Sequence, residues 1–127
     1  MRTDDQTACS ADGCTHPTSS IAAAIDHAWQ NGARVINISL GGGPAPGNLL
    51  QAVSRATSAG TIIVIAAGNY TSGTPLVAPD ELAQSIANPL YGHGLVIITP
   101  SVNRDDTVSS ISRGVRGFQT FRLLGMG

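Results

Sequence analysis

Residues 34–69, RVINISLGGGPAPGNLLQAVSRATSAGTIIVIAAGN, decide the fold. The stretch opens with Arg34 to Leu40, whose Val and Ile residues suit the pleated surface of a strand, with Asn37 as the polar member inside it. Gly41-Gly42-Gly43-Pro44 ends that strand. From about Asn48, a good helix cap, Leu49, Leu50, Val53 and Ala56 recur at helical spacing as far as Gly60. Thr61 to Ala67 follows as a second strand, apolar at every position after the first. Such a run fits a strand buried on both sides by helices, the usual setting of a parallel sheet. Strand, helix and strand with short joints form one βαβ unit, for which a right-handed crossover is expected.

The flanks extend the same pattern. Upstream, Ile21, Ile25, Ala28 and Trp29 make one apolar stripe, predicting a helix that begins near Thr18 to Ser20 on a hydroxyl cap. Asn31-Gly32 stops it. Downstream, Leu82 and Ile86 lie one turn apart in a short helix over Asp80 to Asn88, and Leu95 to Thr99 reads as a third strand. Residues 1–17 are a polar loop, 18–112 hold the patterned core, and 113–127 fit no element. The fold class is α/β, a partial doubly wound parallel sheet with flanking helices.

Composition narrows the function classes. The chain has 127 residues, 42% of them hydrophobic, which suits one globular domain. Only 12% are charged and the net charge is -1, so there is no footprint for nucleic acid or an anionic membrane. Arg113, Arg116 and Arg122 crowd the tail, where a solvated charge run is the simpler reading. The polar start reads as having no signal peptide, and Ile62 to Ala67 is too short to span a bilayer. Cys9 and Cys14 are spaced for a small disulfide ring in an exported protein. Together with His16 they fall short of the four ligands of a structural zinc site, so neither metal nor cofactor is expected.

Two glycine-rich breaks follow two neighbouring parallel strands. Ligand sites in open α/β sheets collect at the carboxyl ends of strands, which places Ser39-Leu40-Gly41 and Ala67-Gly68-Asn69 around one crevice. A nucleotide is the first occupant to weigh. The dinucleotide fingerprint fails because Pro46 stands where its third glycine belongs. Gly42 and Gly47 have phosphate-loop spacing, yet Asn48 and Leu49 replace the Lys and Ser/Thr that hold phosphate and magnesium.

The residues themselves resemble the subtilisin family of serine proteases. IAAAIDHAWQNGARVINISLGGG is similar to that family's helix, strand and SLGG substrate-binding segment. ATSAGTIIVIAAGN is similar to its next helix end, strand and AAGN oxyanion segment. The resemblance is close from Ser19 to Tyr70 and looser through DDTVSSIS; it is nearest to the bacterial exported branch, autotransporter proteases included. It implies that the Asn69 side-chain amide donates to the oxyanion formed on the scissile carbonyl. It implies too that Ser39, Leu40 and Gly41 offer backbone groups to an extended polypeptide substrate. Ala66, Ala67 and Gly68 become the facing wall of the pocket before the cut, with small residues leaving room for an apolar side chain. The parent protein is expected to be secreted or on the cell surface.

The family's triad motifs, D-T/S-G, H-G-T and G-T-S-M-A, do not occur in the chain. His16 precedes Pro17 and lies too near the strand, His27 sits on the preceding helix, and His93 follows AAGN on the wrong side of the order. Asp26 and His27 are adjacent on a helix and face different ways. The expectation is a catalytic domain truncated at both ends, missing the remainder of the protease and inactive by itself. A non-catalytic peptide-binding remnant is the alternative reading, and a nucleotide-binding α/β domain the third.

Overall fold

A computed structural model describes residues 2–11, 13–69, 78–105 and 107. The elements run β1 (Cys9–Ser10), β2 (Gly13–Cys14), α1 (Thr18–Gln30), β3 (Val35–Ile38), α2 (Gly47–Ser58), β4 (Ile62–Ala66), α3 (Glu81–Ala87), α4 (Pro89–Gly92) and β5 (Val96–Thr99). The two short strands form an antiparallel pair closed by the Cys9–Cys14 disulfide. The other three make a parallel sheet in the order β3-β4-β5, as the alternation of strands and helices predicts.

Several ends differ from the sequence reading. Helix α1 begins at Thr18 behind Pro17, and no side chain caps it, so the expected hydroxyl cap is absent. Helix α2 begins one residue before Asn48, behind Pro46, again without a side-chain cap. Pro17 and Pro46 occupy the cap positions with a fixed φ and carry no side-chain acceptor, so neither first turn has a side-chain cap. Helix α3 does use its cap: Asp80 accepts the Ala83 N–H at 3.0 Å.

The core lies on one face of the sheet. Register pairs Ile36 with Ile63 and Ile38 with Ile65, while Ile63 and Ile65 pair with Val96 and Ile98. Ile63, Ile65 and Ile98 are fully buried there, against Leu49 and Val53 of α2 and Ile86 of α3. On the opposite face Ile62, Val64 and Ala66 are only half-buried, and Val35 is 57% exposed. The apolar run therefore does not mean two fully covered faces in this chain. Asn37 is likewise exposed, not inside the sheet, and donates to Ser39 Oγ at 2.8 Å.

One ionic contact joins the helices. Arg55 of α2 grips Asp26 of α1 with two hydrogen bonds, Nε to Oδ1 at 3.0 Å and the terminal nitrogen to Oδ2 at 2.7 Å. The Trp29 indole N–H also donates to Asp26 Oδ1 at 3.0 Å. The Arg55 hydrogen bonds outweigh the cost of burial and hold the Asp26 carboxyl below its ordinary value. A carboxylate with a depressed folded value stabilises the chain above its unfolded value of about 3.9 and loses that effect as pH falls through the folded one. Asp26→Asn is therefore expected to lower the urea midpoint at about pH 7, and to match the parent chain at about pH 2, where both side chains are uncharged.

Candidate functional site

The site is built where β3 and β4 end. Parallel pairing of Ile38 with Ile65 brings Ser39-Leu40-Gly41, beyond the end of β3, alongside Ala66, the last residue of β4, and Ala67-Gly68 after it. A Cβ added to Gly41 would lie 3.9 Å from the Gly68 Cα, so the two exits touch. Ser39 and Gly41 are exposed, while Leu40 is half-buried and packs against the core. On the facing side Ala67 is buried and its N–H continues the sheet to Thr99 O at 2.9 Å. Gly68 turns the chain with φ 90°, a conformation that favours glycine. Asn69, directly after that turn, is exposed, and its side-chain amide makes no hydrogen bond to another described residue.

The first turn of α3 fastens both exits. Asp80 N–H donates to Ala67 O at 2.9 Å, and Leu82 N–H donates to Gly42 O at 3.1 Å. In return the Gly42 N–H donates to Asp80 Oδ2 at 3.0 Å. That carboxylate is 7% exposed and stands between the exits: a Cβ on Gly41 or on Gly68 would come within 2.6 Å of Oδ2. The small residues here therefore do not leave an open apolar pocket, because the carboxylate occupies the space. By sequence alone Asp80 reads only as the start of a helix. The signal that could have flagged it is the glycine on each facing segment, since glycine often marks close approach of another group.

Beside Gly41–Gly43 runs a cleft of ≈ 410 Å³ with Leu40, Leu49 and Leu82 in its lining. His16 also lines it, with Nδ1 2.9 Å from Thr3 Oγ1. His27 is exposed on α1, and His93 caps α4 with Nδ1 2.8 Å from Thr57 Oγ1. The three histidines thus lie on separate elements, and none is paired with a carboxylate among the described residues. Among those residues no group of three or more His, Cys, Asp or Glu could hold a metal ion, and no helix is long and apolar enough to cross a membrane. Arg113, Arg116 and Arg122 lie outside the described residues.

The arrangement offers exposed Ser39 and Gly41 from one exit, an Asn69 side chain with no hydrogen-bond partner among the described residues from the other, and a carboxylate between the two glycines. Comparison with known proteins gives this geometry its context. The sequence profile of the Subtilase family matches residues 8–120. Subtilisin BL of Lederbergia lenta is 36% identical over 100 residues, covering 70% of this chain and 37% of its own length. Among solved structures, Sphericase aligns with TM-score 0.56 and 26% identity over 88% of this chain and 35% of its own. The prenylagaramide maturation protease PagA aligns with TM-score 0.62 and 20% identity over 80% of this chain and 34% of its own. The chain thus spans little more than a third of the length of these proteins.

The glycines give a direct check on the crowding around Asp80. Gly41→Ala is expected to lower stability by about 1–3 kcal/mol, the usual range for overpacking against a fixed group, and Gly68→Ala by more, because it adds a strained positive φ to the same contact. Gly42→Ala, whose added methyl meets nothing within 4 Å, is expected to stay within about 0.5 kcal/mol of the parent. Urea unfolding of the three variants makes the comparison.

Proposed function

This chain belongs to the subtilase family, a family of serine-type proteases, and on that premise we propose that it supplies the peptide-binding and oxyanion-stabilising segments of an endopeptidase. The observation that carries the reading is the contact of the two strand exits at Gly41 and Gly68, with exposed Asn69 directly after Gly68. An extended polypeptide adds to Ser39, Leu40 and Gly41 as a further strand, because the segment continues β3, which lies at the edge of the sheet, and Ser39 and Gly41 are exposed. Ala66, Ala67 and Gly68 face it from the neighbouring exit. Asn69 then donates to the carbonyl oxygen as it gains charge. A donor fixed in place before reaction stabilises the transition state more than the ground state, which is how one amide raises a rate.

The nucleophile, base and orienting carboxylate come from the rest of the protease domain, which is the partner this reading requires. With none of the three triad motifs in its sequence, the chain by itself binds peptide and does not cut it. That makes a non-catalytic peptide-binding role the second reading, favoured by the same missing motifs. The Cys9–Cys14 disulfide favours an oxidising compartment, and so an extracellular parent protein.

Two measurements test this. Exposure of the purified chain to a fluorophosphonate probe is expected to leave every serine unlabelled; stoichiometric labelling at one serine would contradict the inactive reading. An extended peptide is expected to bind the chain without cleavage. Gly41→Trp, whose side chain can stand there only by displacing the Asp80 carboxylate or the Gly68 exit, is expected to weaken that binding at least tenfold, or about 1.4 kcal/mol.

A further inference from the structure

We propose that the Cys9–Cys14 disulfide is a thiol-sensitive latch on the cleft beside Gly41–Gly43, holding part of its wall in place when oxidised and releasing it when reduced. The inference rests on the peptide-binding reading and adds how that site is regulated.

The lining of the cleft is unevenly supported. Leu49 and Leu82 belong to the buried core. Cys14, Thr15, His16 and Thr18 line the same cleft, yet no described residue of the segment 2–16 belongs to that core. The hydrogen bonds described for Thr15 and His16 stay within the segment. Asp5 N–H donates to Thr15 O at 2.9 Å, Thr15 N–H donates to Ala8 O at 3.1 Å, and His16 Nδ1 lies 2.9 Å from Thr3 Oγ1. Strands β1 and β2 have two residues each, and an isolated strand pair is marginal in water. Cys9 and Cys14 stand directly opposite each other in that pair, so their bond is what keeps it closed. Breaking it returns to the segment the conformational freedom that the ring removes. A peptide laid along Ser39–Gly41 borders the cleft and loses the wall that Thr15 and His16 provide.

The bond is also within reach of a thiol. Cys9 is exposed and Cys14 half-buried, and exposed disulfides are the labile kind. The chain has two cysteines, both in this bond, so the reductant is external, a small dithiol. Its first thiolate attacks Cys9 Sγ, forming a mixed disulfide and expelling the Cys14 thiolate, which takes up a proton. Its second thiolate then closes on the mixed disulfide and releases the Cys9 thiolate, which is protonated in turn. Two electrons and two protons pass to the chain, and the dithiol leaves as a cyclic disulfide. The latch is therefore shut in an oxidising compartment and open in a reducing one, so that peptide is held well only where the disulfide persists.

The test uses the full chain and fluorescein-labelled Leu-Ala-Ala-Leu-Ala amide, read by fluorescence anisotropy before and after treatment with dithiothreitol. Reduction is expected to weaken binding by about tenfold, and reoxidation with oxidised glutathione to restore it. The double variant Cys9→Ser, Cys14→Ser is expected to bind as weakly as the reduced chain, with or without dithiothreitol. Hydrogen exchange locates the change: reduction is expected to speed exchange of the Thr15 amide while those of Ile63 and Ile65 stay protected. The comparison of oxidised and reduced states on the unaltered chain decides the matter even if the double variant fails to fold. Equal binding in both states overturns the latch and leaves the peptide site standing. Loss of binding together with loss of protection at Ile63 and Ile65 also overturns it, because the bond then supports the whole fold. Binding in neither state overturns the peptide site and this inference with it.

Discussion

Strands paired in parallel keep step beyond the last bond of their ladder, and the site depends on that. Pairing Ile38 with Ile65 fixes where the chain leaves the sheet on each side, so Ser39–Gly41 and Ala67–Gly68 emerge side by side and meet at Gly41 and Gly68. The register is in turn held by the face it buries. Shifting β3 by one residue would turn Ile36 and Ile38 away from the core and bring exposed Val35 and Asn37 to it. Packing behind the sheet and geometry at its edge are one constraint.

The first turn of α3 completes the arrangement. Its backbone bonds reach Ala67 on one exit and Gly42 on the other, and Asp80 adds a carboxylate between them. This explains why Gly41 and Gly68 carry no side chains, a requirement separate from the turn that Gly68 makes with its positive φ. The same bonds tie function to stability, because a change that frees the carboxylate also unfastens the exits.

Most of the framework was legible in the sequence. The β-branched runs gave three strands, the 3.6-residue spacing gave the helices between them, and the glycine-rich breaks marked the two strand exits that meet at Gly41 and Gly68. The spacing of Cys9 and Cys14 allowed the disulfide that the structure contains. What escaped reading was tertiary. Asp26 and Arg55 meet across 29 residues, and nothing local to either announces the other. Asp80 and Gly42 meet across 38. Asn48 is a favourable cap by residue type, yet Pro46 sets the entry of α2 by its ring geometry. The run Ile62 to Ala66 reads as buried on both faces, but hydrophobicity does not reveal how much of the second face is covered. Motifs identified the family; only coordinates placed a carboxylate between its two recognisable segments.

The central claim is that the two exits form one peptide site. Titrating the ¹⁵N-labelled chain with an unlabelled extended peptide tests it most directly, with amide shifts as the readout. The account predicts that the backbone amides of Gly41 and Gly68 and the side-chain amide of Asn69 shift together on one binding curve. The turn glycines Gly32 and Gly60, which follow α1 and α2 at the other end of the strands, should stay in place. Shifts confined to one exit, or absent from both while peptide binds elsewhere, would contradict it.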